Sequence, residues 1–310
     1  MTLSVRGAMS LRPLPEKESC MCQPQTSGFR VVITGKGGVG KTTLTACLAT
    51  ALADYGINVL AVDEDPQMNL PNALGVGFEA TSRIVPLNRH ADYIEEKTGI
   101  RPGKSGWGAM FKLNPEVDDV VARFGLKVAE NLNVLVMGTV KQAGGGCLCA
   151  ENVLLDATIR HLALRAGEAI LLDTQAGVEH FGRALAKGFG QCLVVADSSF
   201  NALSVACHSA ELARQCGIPL VYLVVNRLAA EDTRLERFTR ESGQRMEELF
   251  DAVIELPAEP QLQALDPDVT RIMTDRRSAF AAAVTALASR LNLRPCTCAA
   301  DPLHVAGHRH

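Results

Sequence analysis

Residues 29–48 read FRVVITGKGGVGKTTLTACL, and this stretch decides the fold. The run Phe29–Thr34 is apolar and rich in β-branched residues, which predicts a buried strand. A helix is predicted over Lys41–Tyr55, where Leu44, Leu48 and Leu52 recur four residues apart. The segment between them, residues 35–42, has the spacing Gly-x4-Gly-Lys-Thr. That spacing between a strand and a helix is typical of a phosphate-binding loop.

The residue types in this loop suit a nucleoside triphosphate. Glycines let several backbone N–H groups point at one anion, and the helix that follows adds its positive end. We expect Lys41 to reach the β- and γ-phosphates and the Thr42 hydroxyl to bind Mg²⁺. Lys36 could reach the phosphates of a facing subunit, as an arginine finger does, or could be an ordinary solvated lysine. The predicted nucleotide-binding residues are Gly35, Lys36, Gly37, Gly38, Val39, Gly40, Lys41, Thr42 and Thr43.

Aspartates follow two of the predicted strands. Asp63 and Asp65 come after the strand Ile57–Val62, and Asp173 ends an apolar run. Ligands of parallel sheets bind at this edge, so we predict magnesium ligands at Thr42, Asp63 and Asp173 and catalytic roles for Lys36 and Asp65. The alternatives are a polar turn before Pro66 and, for Asp173, the first residue of a helix.

The predicted base is adenine. Guanine-specific phosphate-loop proteins usually read the base with an Asn-Lys-x-Asp element after a late strand. Here that element reads Asn226-Arg227-Leu228-Ala229, so no carboxylate is available for guanine. Asn226 either hydrogen-bonds adenine or is a polar residue of the turn that ends the strand.

Apolar strands alternate with helices along the chain, which predicts an α/β P-loop NTPase fold with a doubly wound, mostly parallel sheet and helices on both faces. Residues 1–28 are predicted to be a flexible arm, 29–293 the ATPase domain and 294–310 a tail containing Cys and His. The other predicted strands are Leu132–Met137, Ala169–Asp173, Cys192–Ala196, Leu220–Val225 and Ala252–Leu256, and the other predicted helices are Asn152–Arg165, Phe181–Phe189, Ala202–Cys216, Arg234–Phe250 and Arg271–Leu291.

Composition limits the classes of partner. The 310 residues include 47% apolar and 21% charged residues, with a net charge of −3, as expected for a globular protein. A balance so close to neutral argues against bulk binding to nucleic acid or to an anionic membrane. The sequence has neither an apolar run long enough to span a membrane nor a secretory signal in residues 1–28, so we expect a cytoplasmic protein.

Cysteine placement is the other unusual feature. Three pairs have the form Cys-x-Cys, whereas random placement of the 10 cysteines would give about 0.3 such pairs. The four remaining cysteines lie in apolar patterns and are predicted to fill the core. The terminal pairs and the last histidines either bind metal or are ordinary tail residues. The pairs are Cys20 with Cys22, Cys147 with Cys149, and Cys296 with Cys298, and the histidines are His304, His308 and His310.

Five stretches together resemble the nickel-insertion ATPases that mature carbon monoxide dehydrogenase, a dimeric branch of the deviant-phosphate-loop ATPases. They are residues Val31–Leu48, Ala61–Gly75, Gly144–Leu155, Asp173–Ala184 and Val224–Leu228. The resemblance implies that Cys147 and Cys149 bind metal between two subunits and that ATP promotes a homodimer. It implies that Lys36 is the intersubunit lysine and that Asp65 and Asp173 are the switch aspartates. The implied partner is the carbon monoxide dehydrogenase catalytic subunit, with Ni²⁺ or Zn²⁺ as cargo.

Coordination chemistry agrees with a shared metal site. One Cys-x-Cys pair leaves two tetrahedral positions empty, whereas two pairs facing each other across a dimer axis supply four thiolates, which suit Ni²⁺ or Zn²⁺. The alternative is a pair of ordinary buried cysteines at Cys147 and Cys149.

Two other functions stay open: a partition or division-site positioning ATPase without a metal, and an iron–sulfur electron-transfer ATPase. The first needs a membrane-binding end or a basic face, and Arg294–His310 offers neither. The second needs two well-separated cysteines, such as Cys149 and Cys192.

Overall fold

The computed structural model describes residues 28–102, 116–138, 153–155, 157–159, 164–177 and 188–292. These residues build one eight-stranded sheet in the order β3-β4-β2-β5-β1-β6-β7-β8. Every neighbouring pair is parallel except β3 and β4, which are antiparallel. The strands are β1 (Phe29–Gly35), β2 (Asn58–Asp63), β3 (Leu126–Ala129), β4 (Leu132–Val136), β5 (Glu168–Asp173), β6 (Gln191–Ala196), β7 (Leu220–Leu228) and β8 (Ala252–Pro257).

Helices connect and cover these strands. The first helix, α1, packs against the last helix of the described chain, and another long helix packs on β6. Residues 153–155 and 157–159 are also helical. The helices are α1 (Lys41–Asp54), α2 (Leu70–Ala73), α3 (Phe78–Ser82), α4 (Ala91–Thr98), α5 (Val120–Phe124), α6 (Phe200–Gln215), α7 (Arg234–Ser242), α8 (Met246–Leu249), α9 (Gln261–Leu265) and α10 (Ala279–Asn292), with 3-10 turns at Leu87–Arg89 and Val269–Thr274.

β1 lies in the middle of the sheet, between β5 and β6. Val31, Val32 and Ile33 have no exposed surface, as expected for a strand covered on both faces. The register pairs Ile33 with Asp173 on one side and Gly35 with Val195 on the other. The end of β1 therefore places the glycine-rich loop beside the end of β5. The predicted α/β class with a mostly parallel sheet is confirmed.

Two predicted helices are interrupted. The helix predicted over Arg234–Phe250 ends at Gly243, whose positive φ of 69° closes α7 before the short α8 begins. The helix predicted over Arg271–Leu291 is a 3-10 turn followed by α10. Between the two, Asp275 accepts the Arg277 N–H, and the Ser278 hydroxyl accepts the Ala281 N–H. The bond to Asp275 satisfies the backbone between the two helical segments, and the bond to Ser278 caps the start of α10.

The antiparallel strand β3 was not predicted. Its four residues, Leu126–Ala129, alternate between partly buried and exposed, as suits an edge strand. The predicted terminal arm and tail and most of Phe181–Phe189 lie outside the described residues, so those domain boundaries stay predictions. Within the described part of the chain, none of the helices combines the length and apolarity that a membrane span requires.

Candidate nucleotide-binding site

The phosphate loop joins β1 to α1 and adopts the backbone that its glycines allow. Gly38 and Gly40 have φ of 79° and 98°, which residues with side chains rarely adopt. Gly35 closes the strand, and a Cβ there would lie 2.1 Å from the Val195 carbonyl oxygen. Val39 is buried and fixes the loop to the core, whereas Gly37 and Gly38 face solvent. The loop is thus a rigid cradle that is open on one side.

The two lysines of the loop occupy different environments. Lys41 is 7% exposed, and its Nζ donates to the carbonyl oxygens of Gly35 and Lys36, both at 3.2 Å. Burial lowers the pKa of Lys41, and the carboxylates of Asp173 and Asp65 oppose that shift. Lys36 is exposed on the outside of the loop. An ammonium held inside the cradle is positioned for an anion bound there, while Lys36 can reach outward.

Asp173 lies directly against the start of α1. The Thr42 hydroxyl donates to Asp173 Oδ2 at 2.7 Å, and the Thr45 hydroxyl donates to Oδ1 at 3.4 Å. Asp173 is 1% exposed. Burial raises its pKa to about 6, although the Thr42 hydrogen bond and the Lys41 charge favour the ionised form. Thr45 was not singled out from the sequence, yet its place one helical turn after Lys41 could have indicated this contact.

This pair of oxygen groups fits a magnesium ion. A hydroxyl and a carboxylate are hard ligands of the kind Mg²⁺ takes, directly or through water. The structure brings together Thr42 and Asp173, two of the predicted magnesium ligands, where the phosphate loop opens, and their role in binding the ion stays a prediction. Among the residues that the structure describes, no group of three or more His, Cys, Asp or Glu side chains is arranged to hold a metal ion.

Asp63, a predicted magnesium ligand, is buried and hydrogen-bonded to the backbone. It has no exposed surface, its Oδ1 accepts the Asp65 N–H at 2.9 Å, and its Oδ2 accepts the Leu70 N–H at 3.0 Å. Burial and the neighbouring charge of Asp173 raise the pKa of Asp63 well above its usual range. Each oxygen accepts one backbone N–H, so Asp63 anchors the turn, and the predicted magnesium contact of Asp63 stays a prediction. Asp65 itself is partly exposed at the same sheet edge.

The segment after β5 lies across the phosphate loop. Gly177, with φ of 107°, forms an isolated antiparallel bridge with Gly35, and the Thr34 hydroxyl contacts its carbonyl oxygen at 3.5 Å. The Thr174 hydroxyl donates to the Ile33 carbonyl at 2.8 Å. This segment therefore links Asp173 to the loop that would hold the phosphates.

Asn226 holds the loop from the other side. Its Nδ2 donates to the Val39 carbonyl at 2.8 Å, and its Oδ1 accepts the Arg227 N–H at 2.9 Å. A Cβ at Gly40 would lie 2.4 Å from that Nδ2, so this glycine allows the close approach. The sequence predicted a contact with adenine. An amide carries two hydrogens, and the bond to Val39 leaves one for a ligand.

A pocket of about 680 Å³ opens beside the loop. Its volume lies in the range of small-molecule sites, and its wall combines apolar groups with a few polar ones. The part contributed by the segment after β8 was not foreseen, because nothing in its composition marks it as a binding segment. The lining residues are Gly40, Thr43, Asn226, Arg227, Pro257, Ala258, Glu259, Pro260, Leu262, Gln263, Asp266, Val269 and Phe280.

None of the predicted cysteine and histidine metal ligands falls within the part of the chain that the structure describes, so the intersubunit site and the extra terminal sites stay predictions. The intersubunit pair is Cys147 and Cys149. The extra candidates outside the described residues are Cys20, Cys22, Cys296, Cys298, His304, His308 and His310.

The four other cysteines fit the predicted core role. Cys47, Cys192 and Cys207 are buried and Cys216 is partly buried. Cys192 has no exposed surface, and burial strongly raises its thiol pKa. Cys192 lies inside β6 between β1 and β7, so its side chain is not at a surface that a second subunit could reach, which argues against an iron–sulfur site shared by Cys149 and Cys192 across a dimer.

The sequence of this chain matches a known family and several relatives. The CobQ/CobB/MinD/ParA nucleotide-binding domain family matches residues 30–262. An uncharacterized ATP-binding protein of Methanocaldococcus jannaschii is 41% identical over 67% of this chain and 78% of its own length. The carbon monoxide dehydrogenase accessory protein CooC of Rhodospirillum rubrum is 38% identical over 65% of this chain and 75% of its own.

Among solved structures, the septum site-determining protein MinD of Pyrococcus horikoshii, in complex with Mg-ADP, matches with a TM-score of 0.57. The match covers 86% of this chain and 96% of MinD at 21% identity, so it speaks for the fold alone. The predicted fold, the ATPase activity and the resemblance to the carbon monoxide dehydrogenase accessory ATPases are confirmed. The chain belongs to the CobQ/CobB/MinD/ParA nucleotide-binding family.

Proposed function

We propose that this protein is an ATP-driven metallochaperone that dimerises on ATP and loads nickel into carbon monoxide dehydrogenase. The observation that carries the ATP-driven dimer is the contrast between the two lysines of one loop. Lys41 is buried and hydrogen-bonded inside the cradle, while Lys36 stands exposed outside it. One lysine serves the nucleotide of its own subunit, and the other reaches the nucleotide of a facing subunit. The proposed client follows from the similarity to CooC.

ATP binding uses the preformed loop and pocket. Backbone N–H groups of the glycine-rich loop and Lys41 hold the phosphates. The adenine enters the pocket beside Gly40 and Thr43, where the second amide hydrogen of Asn226 meets a ring nitrogen. Because loop and pocket are contiguous through Gly40, one nucleotide spans both.

Hydrolysis needs an oriented water and neutralised charge. When bound, Mg²⁺ neutralises phosphate oxygens, and Thr42 and Asp173 are the residues that would hold it. Asp65 orients the attacking water with its carboxylate, while Lys36 from the facing subunit stabilises charge on the transferred phosphoryl group. Asp65 lies close enough for its charge to act on both Lys41 and Asp173.

The metal site is proposed at Cys147 and Cys149 of two facing chains. Strand β4 ends next to the nucleotide site. Met137, the residue after β4, donates its N–H to the Asp63 carbonyl at 2.9 Å. Cys147 follows ten positions later in the sequence. This short covalent path supports a coupling between the nucleotide state and the position of the thiolates. Four thiolates in register form the nickel site, and hydrolysis opens it for transfer.

Nickel transfer is the direct test of this function. Nickel-loaded protein is mixed with nickel-free carbon monoxide dehydrogenase and ATP, and CO oxidation is followed. We expect activation with ATP and little with a non-hydrolysable ATP analogue. The double variant Cys147→Ala with Cys149→Ala should not activate, whereas the matched double variant Cys296→Ala with Cys298→Ala should. Equal activation by both variants would contradict the proposed site, and equal activation without ATP would contradict the coupling.

A further inference from the structure

Asp63 is buried in the turn that leads from β2 to α2, and its carboxylate joins two separate parts of that turn. We propose that Asp63 is a positioning residue for hydrolysis, whose carboxylate holds the turn that presents Asp65 to the phosphate loop. This inference rests on the proposed role of Asp65 in orienting water.

Both oxygens of the Asp63 carboxylate bind the backbone of the turn. They accept the N–H groups of Asp65 and Leu70 at 2.9 and 3.0 Å, and no part of the residue is exposed. The two donors are five residues apart in the chain. One carboxylate therefore fixes both ends of the segment that contains Asp65.

The backbone of Asp63 is fixed by its neighbours in the sheet. Asp63 is the last residue of β2 and pairs in register with Asp173 of β5 and Val136 of β4. Its carbonyl oxygen accepts the Met137 N–H, and the next residue, Glu64, donates its N–H to the Asp173 carbonyl at 3.0 Å. The distance between Asp65 and Asp173 is thus set through the sheet and through the Asp63 carboxylate.

The turn between Asp65 and Leu70 contains a backbone conformation that its surroundings must stabilise. The Asp65 carbonyl accepts the Met68 N–H at 3.0 Å, and Asp65 Oδ1 accepts the Gln67 N–H at 2.8 Å. Met68 has φ of 52°, a left-handed conformation that residues with side chains seldom adopt. A strained residue persists only where the surroundings determine the backbone. The two bonds to Asp63 on either side of Met68 supply that constraint.

The chemistry of the site explains why this residue is an aspartate. Two backbone donors that approach from different directions need two acceptor oxygens on a short side chain, which a carboxylate provides. Asparagine has the same shape but one acceptor, so its NH₂ group would face either the Asp65 or the Leu70 N–H. The substitution Asp63→Asn therefore keeps the packing and releases one end of the turn.

The test compares Asp63→Asn, Asp65→Asn and the double variant in the full-length protein. Steady-state ATP hydrolysis gives kcat, and fluorescent ATP-analogue binding gives Kd. We expect Asp63→Asn to lower kcat by about 100-fold, the size of effect caused by a displacement of about 1 Å in a catalytic group. Nucleotide Kd should stay near the unchanged value. The double variant should be no slower than Asp65→Asn alone, because Asp63 acts through Asp65.

Gln67→Ala is the matched control, since it removes an exposed side chain of the same turn and keeps the backbone N–H groups. It should turn over ATP at the unchanged rate. Normal turnover in Asp63→Asn, or a double variant slower by the product of both effects, would overturn the inference. If Asp63→Asn does not fold, Asp63→Ser, which keeps one acceptor oxygen, is measured in the same way. Failure of both to fold would make Asp63 a structural core residue and also overturn it. Normal turnover in Asp65→Asn alone would instead contradict the proposed function of Asp65.

Discussion

Lys41 and Asp173 are ionisable groups buried beside the phosphate cradle. Lys41 is held by two loop carbonyls, and Asp173 by two threonine hydroxyls. Burying a charge is costly unless it is paired, and the opposite charges of Lys41 and Asp173 each favour the ionised form of the other. The motif spacing predicted a nucleotide role for Lys41 and a magnesium role for Asp173, and both roles stay predictions. It could not predict the bonds of Asp63, because spacing does not determine which backbone donors a carboxylate meets.

The raised pKa of Asp173 gives a stability prediction. In the absence of nucleotide and magnesium, the folded carboxyl titrates at about 6, whereas an unfolded one titrates at about 3.9. Between these two pH values, the Asp173 carboxyl is therefore protonated in the folded state and ionised in the unfolded state. Its contribution to stability is present at low pH and is lost as pH rises through 6.

Asp173→Asn removes that titration while its Oδ1 can still accept from Thr42. We expect the free energy of unfolding of Asp173→Asn, relative to the unchanged protein, to increase as pH is raised across this window. Urea unfolding at several pH values measures the difference. Asp54→Asn, at an exposed carboxyl, is the control. A constant difference between Asp173→Asn and the unchanged protein at all pH values would contradict the assigned pKa.

The two loop lysines should separate binding from turnover. Lys41→Ala removes the ammonium inside the cradle, and we expect it to abolish ATP binding. Lys36→Ala should bind ATP normally but lose turnover by about 10³-fold, as when an arginine finger is removed. Equilibrium binding and hydrolysis measured on both variants check this. Normal hydrolysis by Lys36→Ala as a stable monomer would contradict the intersubunit role.

At the scale of elements, the seven long strands were predictable because each is a continuous apolar run between turn residues. The edge strand β3 was not, since four residues with a half-exposed pattern carry little periodic signal. The interrupted helices were missed for a related reason. Residues 271–291 keep a helical apolar pattern, and the break depends on local side-chain bonds from Asp275 and Ser278.

The junction of β1 with the phosphate loop gives an element-scale prediction. Gly35→Ala would place its Cβ 2.1 Å from the Val195 carbonyl oxygen and would force β1 away from β6. We expect a loss of about 3 kcal/mol in unfolding free energy together with loss of ATP binding. Gly56→Ala is the matched control, because Gly56 also has positive φ, 78°, but an added Cβ meets nothing within 4 Å.

Gly56→Ala should cost only the left-handed backbone term of about 1 kcal/mol and should leave ATP binding intact. Urea unfolding and nucleotide titration on both variants measure the two effects. Equal destabilisation of Gly35→Ala and Gly56→Ala would show that the close approach of β1 to β6 does not matter.

At the scale of the whole molecule, the family and the ATPase activity are established. We propose in addition that a second copy of the chain and a metal ion take part in the function. We propose that the exposed Lys36 reaches the second copy and that the chain after Met137, which leads to Cys147, couples the nucleotide to the metal. A positioning ATPase of the partition or division-site kind would share the fold and the loop. Such an ATPase does not need paired thiolates, so metal binding distinguishes the two functions.

The most direct measurement is therefore a Ni²⁺ titration with ATP present, combined with the mass of the complex in solution. We expect about one Ni²⁺ per two chains, bound by a dimer and by thiolate sulfur. That site should be lost when Cys147 and Cys149 are both replaced by alanine, and retained when Cys296 and Cys298 are replaced instead. Equal stoichiometry and affinity in the variant lacking Cys147 and Cys149 and in the unchanged protein would contradict the central claim.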